Sequence, residues 1–356
     1  MTDLLDPIAL RGRTFRNRLW VPAMCMYSVA AHDGLPTDFH LAHYGARVAG
    51  GWGLVLSEAT AVTPEGRISP ADTGLWSDAH GAAWARVAAL AHSLGGAFGV
   101  QLAHAGRKAS TRPSLPGVAS GAASDDEGGW LTVAPSATPF PGLPAPHALT
   151  EEEIAGVVGA FADAATRAAA AGVDVVELHA AHGYLLHQFL SPLSNGRTDR
   201  YGGTLENRLR LVLEVAEAVR AVWPADRPLF VRLSASDWLE GGWDVEQSAV
   251  LVRELGARGV DLIDVSSGGL LPARIELRPG YQVPFARRLR AEGLPTAAVG
   301  LITDADQAAA IVAAGDADAV LMGREALRNP NLPAQLAGRL GRGADFAPPQ
   351  YFRAWA

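Results

Sequence analysis

The chain has 356 residues, of which 49% are hydrophobic and 19% charged, and acidic residues outnumber basic ones by 37 to 30. Its single cysteine excludes an intramolecular disulfide and any iron–sulfur or zinc site built from several thiolates. The net charge of −7 argues against nucleic acid as a partner, because there is no basic stripe to displace counterions. No apolar run is long enough for a transmembrane helix, and the N-terminus does not resemble a signal peptide. We therefore expect a cytoplasmic globular protein without a membrane partner.

Eight short apolar runs recur along the chain, and each is followed by a polar or glycine-containing turn. Both faces of each run are apolar, which is typical of strands buried in a parallel sheet. The predicted strands are 19–22, 53–57, 97–102, 173–179, 228–233, 261–266, 296–300 and 317–322. Segments with a helical spacing of apolar residues lie between them, at 82–94, 150–171, 205–222, 245–258, 281–292, 304–314 and 331–340.

The alternation of strands and helices predicts an α/β fold, a single (β/α)8 TIM barrel over residues 1–356. A doubly wound sheet is the alternative, but it would normally show a glycine-rich dinucleotide turn after an early strand, and none is visible. Residues 8–19 predict a small N-terminal β-hairpin that caps the barrel floor. Residues 109–146 follow the third strand and are rich in Pro, Gly, Ser and Ala. We interpret this segment as a lid or cover loop, with an insertion that is disordered as the alternative.

The densest group of polar residues follows the fourth strand, at the end of the barrel where active sites are built. His179 and His182 could donate hydrogen bonds to one ligand oxygen, either polarising a carbonyl or holding an oxyanion. Tyr184 could supply a proton as a general acid. Two histidines also suit a metal ion, but a third ligand is missing unless Glu177 provides it. The structural alternative is that His182 only caps the next helix.

Two cations also fall at strand ends. Arg232 and Lys108 would bind an anionic ligand there, since buried charges need partners. Arg232 has an alternative role in a structural ion pair with Glu177 or Asp264 on the neighbouring strands. If the protein were a lyase on the same fold, Lys108 would instead be a nucleophile.

Small and reactive residues mark three other strand ends. Strands seven and eight end in Val299-Gly300 and Gly323-Arg324, where many barrels bind a phosphate through backbone N–H groups. Glycine allows the backbone to approach a phosphate closely, although a lone glycine at a strand end is usually an ordinary turn. Cys25 follows the first strand and is either a small buried hydrophobic residue or a thiol that touches a cofactor.

A series of short fragments occurs along the chain in a fixed order. They are NR (17–18), PAMCMY (22–27), HLAHY (40–44), QLAHAGRK (101–108), ELHAAHGY (177–184), LSPLSN (190–195), RYGG (200–203), ENR (206–208), MGR (322–324) and QY (350–351) with Arg353 and Trp355. Taken in order, these fragments resemble the old yellow enzymes, which are FMN-containing ene-reductases, and are most similar to their thermophilic-like bacterial subclass. The resemblance extends from about residue 4 to residue 355.

The resemblance implies an enzyme, an NADPH dehydrogenase or ene-reductase, with tightly but non-covalently bound FMN and with NADPH or NADH as the hydride donor. The implied reaction reduces the activated C=C bond of α,β-unsaturated carbonyl compounds, with hydride transfer from flavin N5 to Cβ and proton transfer from Tyr184 to Cα. The implied FMN-binding residues are Pro22, Ala23, Met24, Cys25, Ala59, Gln101, Arg232, Val299, Gly300, Gly323 and Arg324. The implied catalytic residues are Tyr184, His179, His182, Tyr27 and Cys25. The implied substrate-binding residues are Tyr27, Lys108, His179, His182 and, from a neighbouring subunit, Arg353.

The resemblance leaves the substrate open between enones or enals and the nitro compounds and other xenobiotics that some family members prefer. A nitro oxygen would suit the two histidines as well as a carbonyl oxygen does. The C-terminal tail, 341–356, is implied to reach a neighbouring subunit, which predicts a homodimer or a homotetramer. Relatives that act on dienoyl-CoA carry an iron–sulfur cluster and an additional C-terminal domain, and one cysteine in 356 residues excludes that branch. No metal is expected.

Overall fold

The structure, a computed structural model, describes residues 3–354, and its centre is a closed barrel of eight parallel strands. In chain order these are β1 (Leu19–Val21), β2 (Leu54–Ala61), β3 (Ala97–Ala103), β4 (Val175–Ala180), β5 (Leu229–Ser234), β6 (Leu262–Ser266), β7 (Thr296–Ala298) and β8 (Ala319–Leu321). Strand β8 pairs with β1 and closes the barrel. The predicted (β/α)8 barrel is confirmed, and each predicted strand overlaps one barrel strand.

The helices of residues 3–354 lie between the strands and after β8. They are α1 (Asp38–Ala49), α2 (Asp78–Ser93), α3 (Glu151–Ala170), α4 (Leu185–Leu190), α5 (Leu205–Val222), α6 (Val245–Ala257), α7 (Val283–Arg290), α8 (Ala305–Ala313), α9 (Gly323–Arg328) and α10 (Leu332–Arg339). All seven predicted helices are present, whereas α1, α4 and α9 lie in segments without a predicted helix. Helix α1 buries polar side chains such as His40, Tyr44 and Arg47, so aliphatic periodicity does not mark it. Helices α4 and α9 have six residues each, too few to show a period.

The predicted capping box at the start of α3 is confirmed. The Thr150 hydroxyl accepts the N–H of Glu153 at 3.2 Å, and the Glu153 carboxylate accepts the N–H of Thr150 at 2.7 Å. Side-chain oxygens of Thr204, Asp244 and Asp304 cap α5, α6 and α8. The caps of α6 and α8 end loops that follow β5 and β7, and the cap of α5 ends the loop that follows α4.

The predicted hairpin closes the floor of the barrel. Ile8–Leu10 and Arg13–Phe15 pair in an antiparallel ladder. The Phe15 ring lies 5.2 Å from Trp20 of β1, and Trp20 lies 5.8 Å from Phe230 of β5. These buried aromatic rings fill the interior of the barrel at its N-terminal end, and the polar groups predicted for the site lie at the opposite, C-terminal end.

Residues 109–146 pack against the barrel mouth rather than extending away from it. Trp130 donates its indole N–H to the carbonyl of Glu65 at 2.8 Å. The Arg67 guanidinium lies 5.1 Å from the Trp130 ring and 5.4 Å from the Trp76 ring, so a cation between two indoles joins the segment to the loop after β2. The regular structure of the segment is a 3-10 turn and a short strand, Asp125–Glu127 and Val133–Ala134. Its function as a lid stays a prediction.

The C-terminal tail contains two short 3-10 helices, Gly343–Asp345 and Pro349–Ala354. Tyr351 and Phe352 are exposed on the second one, beside Arg353. Trp355, which belongs to the C-terminal matching fragment, lies outside the described residues. No helix between residues 3 and 354 is long and apolar enough to cross a membrane.

Candidate active site

The three aromatic side chains predicted from the fourth strand meet at the C-terminal end of β4. The ring centroids of His179 and His182 are 5.1 Å apart, and those of His179 and Tyr184 are 4.9 Å apart, with nearly perpendicular planes. His179 belongs to β4, His182 to the loop after it, and Tyr184 to the N-cap of α4. The structure therefore brings the predicted cluster together.

Both histidines of this cluster are neutral. Burial lowers the pKa of His179 and of His182 well below the ordinary value, and the Arg232 cation lowers each pKa further. The backbone N–H of Ala181 donates to His179 Nδ1 at 3.2 Å, so the ring proton is on Nε2. His179 thus offers the N–H of an uncharged imidazole, which can polarise a carbonyl oxygen by donating a hydrogen bond to it.

His182 is held by two serines from neighbouring strands. Its backbone has φ +57°, a left-handed conformation that is uncommon for a residue with a side chain. Its N–H donates to the Ser234 hydroxyl at 2.9 Å, and its Nε2 lies 2.7 Å from the Ser266 hydroxyl. These contacts fix the ring at the end of β4. A cap on α4 is excluded, because Tyr184 is the N-cap residue.

Two tyrosines stay protonated near the cluster. Burial raises the pKa of Tyr184 well above its usual value, with the Cys25 thiol adding to the effect. Burial also raises the pKa of Tyr27, whose backbone is left-handed at φ +53°. Each phenol therefore retains its proton at neutral pH and can donate it.

Cys25 is half-buried next to an acidic pair that has no predicted role. Burial raises the pKa of the Cys25 thiol well above its usual value, and the charges of Asp72 and Glu58 raise it further. The Glu58 carboxylate accepts the N–H of Met26 at 3.1 Å and lies 2.8 Å from His40 Nε2. Cys25 is thus a thiol rather than a thiolate. Glu58 is the one charged residue of β2, which is buried along its whole length, and a lone acid in a strand of this kind is a signal that could have identified it.

Arg232 makes an ion pair with one of the two acids considered from the sequence. Its Nε lies 2.9 Å from Asp264 Oδ2, and its Nη1 donates to the carbonyl of Ala23 at 3.3 Å. Glu177 instead accepts a hydrogen bond from Gln101 Nε2 at 2.8 Å. Burial raises the pKa of Glu177 to about 8, with Asp264 adding to the effect, and burial raises the pKa of Asp264 to about 6. The cation thus has one carboxylate partner and remains directed at the barrel mouth.

An open cleft of about 240 Å³ lies beside this ion pair. It is lined by Pro22, Ala23, Met24, Arg232, Val299, Gly300, Leu301, Ile302, Thr303, Leu321, Gly323 and Arg324. Both predicted phosphate-binding pairs and three predicted flavin-lining residues are therefore in one space. Ala59 lines a separate narrow space together with Tyr184, and Gln101 is buried with its amide hydrogen-bonded to Glu177.

The residues of the cleft fit an FMN. Arg324 is exposed at its rim, where a guanidinium can bind a phosphate dianion. Gly300 has φ +112°, a backbone conformation that strains any other residue, and as glycine it leaves its backbone accessible to a ligand. Arg232 at the other end provides a cation for negative charge on a ring system.

Comparison of the sequence with known families also indicates a flavin enzyme. The model of the NADH:flavin oxidoreductase / NADH oxidase family matches residues 3–342. The chain belongs to this family. It is 48% identical over 356 residues to an NADPH dehydrogenase of Geobacillus thermodenitrificans, and the match covers 99% of each protein.

Solved structures related to the old yellow enzymes share the fold. Morphinone reductase in complex with tetrahydroNAD is 32% identical with a TM-score of 0.79, and the match covers 96% of this chain and 92% of that one. An old yellow enzyme homologue from Zymomonas mobilis is 29% identical with a TM-score of 0.78, covering 95% and 93%. The resemblance to the old yellow enzyme family is confirmed. The protein is an enzyme of this family, an FMN-dependent oxidoreductase that uses NAD(P)H.

In this old yellow enzyme fold, the side chain of Lys108 donates hydrogen bonds to backbone carbonyls beside the cluster. Its Nζ donates to the carbonyl of His182 at 2.8 Å and to that of Gly269 at 2.9 Å, and it lies 5.1 Å from the Tyr184 ring. Burial lowers the pKa of Lys108 to about 8, and the neighbouring Arg107 lowers it further. These contacts brace the loop that carries His182. A direct contact between Lys108 and substrate stays a prediction.

Two other predictions concern groups beyond the cluster. Arg353 lies on the exposed tail, with its guanidinium over the Phe352 ring at 5.7 Å, and its contact with a neighbouring subunit stays a prediction. Among residues 3–354, no three His, Cys, Asp or Glu side chains lie close enough together to hold a metal ion. The two histidines instead make hydrogen bonds to Ala181 and Ser266.

Proposed function

We propose that the protein is an ene-reductase, which reduces the activated C=C bond of α,β-unsaturated ketones and aldehydes. The observation that carries the proposal is the cluster of His179, His182 and Tyr184, in which two neutral imidazoles and one protonated phenol converge. Donors of this kind draw electron density onto a carbonyl oxygen, and the phenol supplies a proton.

The cleft beside Arg232 is proposed to bind the FMN. Gly300, Gly323 and Arg324 would bind the phosphate, and Pro22 to Cys25 would line the ring together with Ala59 and Gln101. Arg232, which is 7% exposed and faces the mouth, would stabilise negative charge on the ring. The fit of the cleft and the membership in the FMN-dependent family support these assignments.

The mechanism assigns one task to each side chain. FMN held in the cleft by Arg232, Gly300 and Arg324 would supply hydride chemistry, with NAD(P)H as the source of the hydride. His179 Nε2–H and His182 donate to the carbonyl oxygen of the substrate, with Tyr27 as a further donor, which makes Cβ electrophilic. Tyr184 then protonates Cα, and its high pKa keeps this proton available between turnovers. The segment 109–146, joined to the mouth through Trp130, would limit the access of water.

The visible spectrum of the purified protein tests this proposal. A yellow protein should lose its colour under anaerobic NADPH and regain it when cyclohexenone is added, because the enone accepts the hydride. Parallel titrations with NADH and with nitrobenzene compare the two nicotinamides and the two classes of acceptor. Reoxidation by nitrobenzene but not by cyclohexenone would replace the ene-reductase with a nitro-compound reductase. A colourless protein that does not bind added FMN would contradict the cofactor assignment.

Replacing Arg353 with Ala tests the proposed homo-oligomer. If Arg353 reaches the site of a neighbouring subunit, the variant should raise the KM for cyclohexenone several-fold without changing its FMN content. The Arg342→Ala variant is the control, because Arg342 is a second exposed arginine of the tail, and it pairs with Asp345 and lies over the Phe346 ring within this chain. Steady-state kinetics and light scattering measure KM and mass. A wild-type KM and a monomeric mass together would contradict the cross-subunit contact.

A further inference from the structure

A buried aspartate and histidine lie directly behind the turn that carries His182 and Tyr184. His187 belongs to α4 and Asp237 to the loop after β5, and both side chains are fully buried. His187 Nε2 lies 2.9 Å from Asp237 Oδ1. On its other side, His187 Nδ1 accepts the backbone N–H of Gly183 at 2.9 Å. None of the roles described above uses this pair.

The contact with Gly183 determines where the proton of His187 is. A backbone N–H can only donate, so Nδ1 must carry a lone pair and the ring proton must be on Nε2. Nε2–H then lies beside the ionised Asp237 carboxylate, 2.9 Å from Oδ1, in a close charge–dipole contact whose angle is outside the range of a hydrogen bond. The N–H groups therefore point the same way along these contacts. The Gly183 N–H points to His187, and the His187 Nε2–H is on the side of Asp237.

Asp237 is kept ionised in the interior. Its Oδ2 accepts the Ser191 hydroxyl at 2.7 Å and the N–H of Trp243 at 2.8 Å. Burial alone would raise the pKa of Asp237, but the contacts with His187, Ser191 and Trp243 keep that pKa below the usual value. Asp237 thus binds the end of α4 and the loop before α6 as well as His187.

The turn in front of this pair needs external support. His182 and Gly183 are consecutive left-handed residues, at φ +57° and φ +72°. A non-glycine residue in this region is strained and persists only where its surroundings hold it. The carbonyl of Gly183 accepts Gln188 Nε2 at 2.8 Å, so α4 binds both the N–H and the C=O of Gly183.

We infer that Asp237 and His187 are positioning residues for the proposed reaction. They hold the Gly183 N–H and thereby place His182 on one side of it and Tyr184 on the other. This inference rests on the proposed function, since the two placed side chains are the substrate donor and the proton donor. Small displacements of such groups reduce rates strongly, by about 100-fold for about 1 Å.

The Asp237→Asn variant separates positioning from simple packing, because Asn has the same shape. The N–H of Trp243 requires an oxygen at the Oδ2 position, so the new NH₂ group must face His187 Nε2. The imidazole must then move its proton to Nδ1, where it opposes the Gly183 N–H. The hydrogen bond to the turn is lost, although the volume of the side chain is unchanged.

The control is Asp174→Asn, at the opposite end of the barrel. Asp174 is also a buried aspartate beside a histidine, with Oδ2 2.8 Å from His92 Nε2 and a hydrogen bond from the N–H of Phe98 at 2.9 Å. Its Oδ1 also makes an ion pair with Arg13, and none of these partners contacts the site. Asp174→Asn should therefore lose at least as much stability as Asp237→Asn, so a general loss of stability would slow the control as well.

The experiment uses both variants with FMN bound and measures two properties. Histidine ¹⁵N NMR should show the Nε2–H tautomer of His187 in the wild type and in Asp174→Asn, and a different tautomer in Asp237→Asn. Reoxidation by cyclohexenone after reduction by NADPH should be about 10- to 100-fold slower in Asp237→Asn only. An unchanged rate in Asp237→Asn, or an equal loss in Asp174→Asn, would overturn the inference.

Two replacements of His187 test the inference if Asp237→Asn does not fold. In His187→Gln, the amide can accept the Gly183 N–H and donate to Asp237, so most of the wild-type reoxidation rate should remain. His187→Leu can do neither and should be slow, and equal rates in both would also overturn the inference. If cyclohexenone does not reoxidise even the wild type, the proposed function fails. The NMR measurement then still decides whether Asp237 sets the tautomer of His187.

Discussion

Replacing Tyr184 with Phe is expected to slow reoxidation of the reduced enzyme by cyclohexenone by about 10²- to 10⁴-fold, the range for removal of a general acid. The phenol lies 4.9 Å from His179 between ring centroids, and its removal leaves Cα of the substrate without the proposed proton donor. Reduction by NADPH needs no proton from Tyr184 and should change little. Stopped-flow absorbance measures the two half-reactions separately.

Tyr201→Phe is the matched control for this variant. The Tyr201 hydroxyl donates to Glu214 Oε2 at 2.9 Å, on the outside of the barrel, so its loss should cost about 1 kcal/mol of stability and leave both half-reactions unchanged. Because the pKa of Tyr184 is raised well above its usual value, the wild-type rate should not fall at alkaline pH through ionisation of Tyr184. Wild-type reoxidation in Tyr184→Phe would contradict the assignment of the proton donor.

The sequence predicts those parts of the site in which neighbours in the chain are also neighbours in space. His179, His182 and Tyr184 lie within six positions at one strand end, so their convergence follows once β4 is recognised. The ends of the strands follow from the sequence because apolar runs of this length form buried parallel strands. The barrel and the order of the predicted groups around its mouth depend on the same signal.

The contacts that hold the cluster could not be predicted in this way. Asp237 and His187 are 50 positions apart and come from different loops and helices, so no spacing in the sequence connects them. Glu58 and His40 belong to β2 and to α1, a helix that periodicity does not reveal because its buried face is polar. The sequence shows each acid and each histidine, but which of them are buried and paired depends on the packing of the barrel.

Backbone strain is the second feature that the sequence does not show. Tyr27 and His182 are left-handed although neither is glycine, and both are candidate donors to substrate. In each case a backbone N–H beside the strained residue is bound by a buried side chain, that of Met26 by Glu58 and that of Gly183 by His187. Each of these two side chains belongs to a buried carboxylate–imidazole pair, but the carboxylate accepts the N–H beside Tyr27, whereas the imidazole accepts the N–H beside His182.

Replacing Arg232 with Leu is expected to lower the free energy of unfolding by about 3–5 kcal/mol, because it leaves the Asp264 carboxylate buried without its cation. The pKa of Asp264 is raised to about 6 by burial even with Arg232 present, and it should rise further in the variant. A carboxyl group whose pKa is raised in the folded state favours folding when it is protonated, and this contribution is lost as pH rises through the folded-state pKa. The variant should therefore be least stable at alkaline pH.

The double variant Arg232→Leu/Asp264→Asn separates this charge effect from the binding of FMN. The second substitution removes the unpaired carboxylate, so it should restore part of the lost stability and reduce the dependence on pH. It does not restore a cation at the mouth, so FMN affinity should stay low in both variants if Arg232 binds the flavin ring. Urea unfolding from pH 5 to pH 9 measures stability, and fluorescence titration measures FMN affinity. Wild-type FMN affinity in the double variant would limit Arg232 to the structural ion pair with Asp264.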